Sequence, residues 1–361
     1  MGNTASGKPR RFDGSIGVGK GQGTGTAREL AAEARALEAL GLDTLWAAQR
    51  HQTPFVPLAA VASVTDRVQL GTAIALAFTR SPMETALTAL DMDRLTGGRF
   101  KLGLGAGVKR LNEQWHNVDD FGRPAPHLKE TAELIRLLIE QGARGEAVHY
   151  RGRYHQVELR GWQPMYEPVR PSIPIYVAGV GEAMARVAGD TADGLLGHTV
   201  WSLPWIRDLI APNVAVGLKR SQRFRADFDL SVAIPVCIAN DLARARRDAA
   251  SGIAFYATMR TYRQLFEWHG FGSQAQQARE AYDAQGWCDA VIDAVSDEMV
   301  DAFTVAGDLD SCRQQLEAYW PHVDSMRLEP GGHRLEPARV QTYGDAIVEL
   351  VGTSLASSGG S

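Results

Sequence analysis

Eight short apolar runs punctuate the chain, and segments of helical periodicity separate them. Residues 15–18 (SIGV), 42–47 (LDTLWA), 68–77 (VQLGTAIALA), 99–104 (RFKLGL), 173–178 (IPIYVA), 192–197 (ADGLLG), 230–238 (LSVAIPVCI) and 323–328 (VDSMRL) read as buried strands. Between them, residues 27–40 place apolar side chains at helical spacing and stop at Gly41. Residues 54–64, 127–141, 182–190 and 204–218 repeat the pattern, and a further helix starts after Asn240. Ser81 as N-cap with Pro82 behind it starts a helix to about Leu95, and Asp308 caps another through Tyr319. Strands alternating with helices demand parallel pairing through right-handed crossovers. Eight such units are enough to close the sheet, so the expected fold is an α/β (β/α)8 TIM barrel, with an open doubly wound sheet as the alternative.

The barrel is expected over residues 15–330 as a single domain, after a flexible leader at 1–14. A hairpin insertion falls near 147–157 and a helical insertion near 255–302. A C-terminal helix and flexible tail occupy 331–361.

Bulk properties narrow the function. The 361 residues are 45% hydrophobic and 22% charged, with a net charge of −4 and both signs interspersed. A nucleic-acid binder would need a basic face, and a membrane span would need about eighteen consecutive apolar residues; neither is expected. The start lacks the apolar stretch of a secretory signal, and although MGNTAS fits a loose myristoylation pattern it reads as a polar leader. Cys237, Cys288 and Cys312 are far apart, and no H-E-x-x-H motif occurs. No disulfide framework and no metal are expected, which fits a cytoplasmic protein.

Three glycine clusters compete for a phosphate. GSIGVGKG (14–21) lacks the hydroxyl that a P-loop needs after Lys20, so it reads as a loop over the barrel mouth. GLGAGVKR (103–110) lies at the C-terminal end of a strand, where barrel active sites are built; Gly105 and Gly107 clear space, and Val108, Lys109 and Arg110 follow. VAGVGEAM (177–184) sets Ala178, Gly179, Val180 and Gly181 between a strand and a helix N-terminus, which favours an anion. Taken together, the last two suggest a phosphorylated cofactor.

Four longer stretches carry a likeness: LGTAIALAFTRSP (70–82), LDMDRLTGGRFKLGLGAGVKR (90–110), PIYVAGVGEAMARVAGDTADGLLGH (174–198) and VSDEMVDAFTVAGDLDSCRQQL (295–316). They resemble the luciferase-like monooxygenase superfamily, and within it the actinobacterial branch that uses the deazaflavin coenzyme F420. The resemblance implies a ring-bearing cofactor at the C-terminal mouth, propped by a bulge with a non-prolyl cis peptide within Ala75, Leu76, Ala77 and Phe78. It also implies that the loops at 105–109 and 178–181 hold the cofactor phosphate.

The likeness has one departure. Related dehydrogenases carry an acidic residue followed by His after strand two, where this chain has Gln49 and Arg50, with His51 one place later. A simple alcohol-oxidising His base is therefore not expected. Arg50 is a candidate to polarise a substrate, and His51 and His198 are candidate proton donors at the rim. Gln49, Phe78, Trp115, His116 and Tyr256 are candidate substrate-pocket residues. The resulting expectation is a reductase that passes a hydride from reduced F420 to a C=C or C=N bond of a small or medium organic substrate, in a possible homodimer. An FMN-dependent monooxygenase and a non-catalytic flavin-binding barrel are the alternatives.

Overall fold

The computed structural model describes residue 4 and residues 6–17, 25–49 and 52–358. Eight parallel strands close into a ring: β1 (Arg11–Ser15), β2 (Thr44–Ala47), β3 (Gln69–Thr72), β4 (Phe100–Gly105), β5 (Ile175–Gly179), β6 (Gly194–Gly197), β7 (Asp229–Ile238) and β8 (Ser325–Pro330). Each pairs with the next, and β8 returns to β1 with Asp13 opposite Arg327. The expected (β/α)8 barrel is the observed fold.

Two boundaries differ from the sequence reading. β1 begins at Arg11, so residues 11–14 are barrel wall rather than leader. They alternate inward polar and outward apolar side chains, a pattern weaker than the apolar run after them. The stretch 68–77 is not one strand. β3 stops at Thr72, a cis peptide joins Ala73 to Ile74, and Ala75–Leu76 resumes pairing against Leu104 and Gly105 at the top of β4. A short strand at Val305–Gly307, not read from the sequence, pairs with the end of β7.

Local chemistry sets the helices around the ring. α1 (Ala27–Leu40) opens on a capping box in which Thr26 Oγ1 accepts the Glu29 N–H and Glu29 accepts the Thr26 N–H; Gly41 closes it in the left-handed region. α2 (Phe55–Ala62) follows β2. α3 (Pro82–Leu95) has the expected Ser81 cap, which accepts the Glu84 N–H. α4 (Lys109–His116) and α5 (Pro124–Glu140) follow β4, and α6 (Glu182–Thr191) follows β5.

The barrel interior is plugged by a polar layer. Asp13 is fully buried, and its Oδ2 accepts from Trp46 Nε1 at 3.0 Å, Ser231 Oγ at 3.1 Å and Ser325 Oγ at 2.9 Å. Burial raises its pKa, and Lys101 opposes the rise only in part. Below it, Arg11 pairs with Asp229 at 2.6 Å, and Tyr176 donates to the same carboxylate at 2.8 Å. Trp46 and Tyr176 meet edge to face at 5.3 Å. Gly71 makes room for this plug, since a Cβ there would stand 2.4 Å from the Trp46 ring. The layer is the floor of the mouth.

Two insertions add to the ring, the hairpin lying along α5. The hairpin pairs Val148–Arg151 with Gln156–Leu159, and the Glu130 carboxylate of α5 accepts the N–H groups of Arg153 and Tyr154 in its turn. The helical insertion follows the helix Leu242–Ala257 and is tied back to it by Arg246, bonded to Asp297 and Asp301, and by Arg247, bonded to Asp289 and Asp293. Among the described residues, no helix is long and apolar enough to cross a membrane.

Candidate active site at the C-terminal mouth

The mouth is framed by the segments that leave the C-terminal ends of the strands. On one side stands the β3 bulge. Ala73 and Ile74 are partly exposed, whereas Ala75, Leu76 and Ala77 are buried behind them. The cis peptide thus lies at the partly exposed Ala73–Ile74, and not within the 75–78 stretch where the sequence reading expected it. Gln49 secures this bulge. Its N–H donates to the Ile74 carbonyl at 3.0 Å, and its Oε1 accepts from the Leu76 N–H at 3.0 Å and from Arg80 Nη1 at 3.1 Å. Gln49 thus holds the backbone of the bulge. Phe78 is spent elsewhere: it stacks on His127 at 3.8 Å, and His127 stacks on Tyr154 of the hairpin at 4.2 Å.

The two glycine loops stand beside the bulge. Gly107 has φ +65°, and a Cβ there would lie 2.4 Å from Leu76. Asn112, fully buried, donates through Nδ2 to the carbonyls of Ala106 at 2.8 Å and Val108 at 3.0 Å, fixing the loop to α4. In the second loop, the Val180 carbonyl accepts from two buried indoles, Trp201 Nε1 at 2.9 Å and Trp205 Nε1 at 2.8 Å. A Cβ on Gly181 would meet nothing within 4 Å, so the backbone there opens on free space. Neither α4 nor α6 has a side-chain cap. Two helix starts with uncapped N–H groups thus face one mouth beside Ile74, a donor set suited to a phosphate. Lys109 is exposed at the start of α4, with its ammonium 3.5 Å from Glu113.

The rim after β6 carries His198. Its Nε2 lies 3.0 Å from the Tyr262 hydroxyl, and its Nδ1 accepts the Val200 N–H at 3.3 Å. Its ring meets Tyr256 at 5.3 Å, and the Tyr256 hydroxyl lies 3.0 Å from Thr199 Oγ1. The end of the Leu242–Ala257 helix and the start of the insertion thus bring Tyr256 and Tyr262 together over the end of β6. Farther round, Phe255 stacks on His333 at 4.1 Å, just past the end of β8.

The wall opposite β4 and β5 is polar. Ser15 Oγ donates to Glu329 Oε1 at 2.9 Å, and Arg327 Nε donates to the same oxygen at 2.8 Å. Arg327 is largely buried, and its two Nη atoms have no protein partner among the described residues. The sequence reading did not single out Asn112, Arg327 or Glu329, and it took Tyr262 only as one of the aromatics of the helical insertion, core or pocket lid. Inward alternation from Ser325 through Arg327 to Glu329 was the available signal for Arg327 and Glu329.

Trp115 and His116 lie at the far end of α4, both exposed, and share no described contact with His198. Arg50, His51 and residues 18–21 of the first glycine cluster lie outside the described residues. At the opposite face, a cavity of about 360 Å3 opens between Arg11, Glu38, Asp43 and Leu355, separated from the mouth by the Asp13 layer. Among the described residues, no group of three His, Cys, Asp or Glu side chains is placed to hold a metal ion.

The whole barrel, rather than one loop, matches known proteins. Residues 13–321 match the luciferase-like monooxygenase family. The chain belongs to that family. Among its luciferase-like relatives, an uncharacterised protein of Mycobacterium tuberculosis (strain ATCC 25618 / H37Rv) is 33% identical over 282 residues, 76% of this chain and 82% of that protein. An F420-dependent glucose-6-phosphate dehydrogenase of Amycolatopsis mediterranei (strain U-32) is 25% identical over 339 residues, 90% of this chain and 94% of that one. The structure of the coenzyme F420-dependent tetrahydromethanopterin reductase from Methanopyrus kandleri superposes with a TM-score of 0.74 at 22% identity, covering 95% of this chain and 97% of that one. This luciferase-like barrel therefore shares the fold of the reductase.

Proposed function

We propose that the chain is a coenzyme F420-dependent oxidoreductase that reduces a C=C or C=N bond of a small or medium organic acceptor. One observation carries this reading. Two uncapped helix starts flank the Ala73–Ile74 bulge in a single mouth, in a chain similar over nine-tenths of its length to an F420-dependent enzyme. When bound, the reduced deazaflavin supplies the hydride. The protein does the rest. Ile74 offers an apolar platform for a ring, backed by Gly105, where a Cβ would run into Ile74 at 2.4 Å. The N–H groups at the starts of α4 and α6 take the phosphate-bearing tail. The Nη atoms of Arg327 present a donor pair to an oxygen acceptor on the ligand. The insertion over His198 covers the mouth and excludes water. The direction favours reduction, because the Asp-His pair of related dehydrogenases is replaced by Gln49 and Arg50.

The test is a side-by-side titration of the protein with F420 and with FMN, followed by absorbance and fluorescence. Oxidation of reduced F420 is then followed with 2-cyclohexen-1-one and 1-pyrroline as probe acceptors. Tight binding of F420 and acceptor-dependent oxidation are expected. Preference for FMN would replace the reading with an FMN monooxygenase, and binding of neither would replace it with a non-catalytic barrel.

A further inference from the structure

The His198 cluster has a fixed hydrogen-bond polarity. A backbone N–H can only donate, so the Val200 N–H at 3.3 Å requires His198 Nδ1 to be the acceptor. A neutral imidazole carries its proton on the other nitrogen. Nε2–H therefore donates to the Tyr262 oxygen at 3.0 Å, and the phenolic hydrogen is directed away from His198. Imidazolium would put a second donor against the Val200 N–H and lose that bond. The edge of Tyr256 packs at 5.1 Å against the Tyr262 ring and fixes its plane.

We infer that Tyr262 is the proton donor of the reaction and that His198 is a positioning residue that acts through it. This rests on the reductase reading of the mouth. The acceptor bond takes a hydride with its electron pair on one atom. The π pair moves to the other atom, which takes the proton from Tyr262 O–H. The phenolate left behind is stabilised by the His198 Nε2–H and regains a proton from water. The acceptor class that fits is an imine or a conjugated carbonyl, whose reduction leaves a nitrogen or enolate oxygen basic enough to take a phenolic proton.

Two readouts test this, and the first needs neither cofactor nor activity. Nitrogen-15 NMR of histidine-labelled protein, with His198 assigned by loss of its signals in His198→Gln, reads the tautomer directly. The Nε2–H form is expected, and an Nδ1–H form or an imidazolium at pH 7.5 would overturn the inference. The second is the oxidation of reduced F420 by 1-pyrroline and 2-cyclohexen-1-one. Tyr262→Phe should slow turnover about a hundredfold or more with little change in F420 affinity. His198→Phe should fall nearly as far. His198→Gln, whose side-chain N–H can still donate to Tyr262 but cannot pass on a proton, should stay within about tenfold of the parent. His198→Gln as slow as His198→Phe, or Tyr262→Phe as fast as the parent, would make His198 the acid instead. If the parent oxidises reduced F420 with neither probe, the reductase reading fails, and the tautomer alone decides the polarity of the pair.

Discussion

Asn112 donates to the Ala106 carbonyl across 2.8 Å, and this bond ties the first turn of α4 to the loop that leaves β4. The same amide reaches Val108, so one fully buried side chain holds the loop at both ends of Gly107. Asn112→Ala should leave two carbonyls without this donor and open a small cavity. A loss of about 2 kcal/mol in unfolding free energy is expected, with F420 affinity reduced at least tenfold. Urea unfolding and a fluorescence titration check the two separately. A stability loss without an affinity loss would show that the loop does not carry the cofactor.

Gln49 offers a sharper separation, because its oxygen serves the bulge through Leu76 and anchors Arg80. Gln49→Ala should cost about 1–2 kcal/mol and weaken ring binding. Gln49→Glu keeps the acceptor and gives Arg80 a charge partner, so it should bind F420 like the parent. Equal binding by both variants would mean that the bulge holds its shape without Gln49.

Strand number, strand order around the ring and the Ser81 cap were legible because each rests on local chemistry: apolar runs, alternation and a hydroxyl before a proline. The bulge was misplaced by two residues. In sequence, 68–77 is a nearly continuous apolar run that carries no sign of where pairing stops; the bulge is held by Gln49, from the loop after β2. The contact of Tyr262 with His198 was not legible for a related reason. An aromatic in a helical insertion is indistinguishable from core until the insertion is folded over His198. Arg327 and Glu329 share the inward alternation that begins at Ser325, but their pairing with each other and with Ser15 needed the folded β8 beside β1.

Lys109 was expected to meet a phosphate, and it stands at the start of α4 beside the uncapped helix end, exposed and paired loosely with Glu113. An exposed cation contributes modestly, so Lys109→Ala should weaken F420 binding by about 1 kcal/mol, and the loss should shrink as salt is added. Glu113→Gln should act in the opposite direction by freeing the ammonium. Isothermal titration at low and high ionic strength checks both, and identical affinities for all three proteins would leave the phosphate to backbone N–H groups alone.

Asp324 gives the fold its pH signature. Its side chain is fully buried; Oδ2 accepts from Arg225 and from the Leu230 N–H, both at 2.8 Å, and Oδ1 accepts from the Ser6 N–H at 3.1 Å. Burial alone would raise its pKa, but Arg225 and these two N–H groups outweigh it and hold the carboxyl below its ordinary value. A carboxyl lowered by folding adds stability above its unfolded pKa of about 3.9 and loses it as the pH falls through the folded value. Asp324→Asn should therefore be less stable than the parent by about 3 kcal/mol at pH 7, as for a broken buried ion pair, and the gap should narrow as the pH drops below about 4. Urea unfolding at a series of pH values measures that gap. A gap that stays constant into acid would mean that Asp324 holds β7 and the N-terminal segment by shape and hydrogen bonding, with its charge contributing nothing.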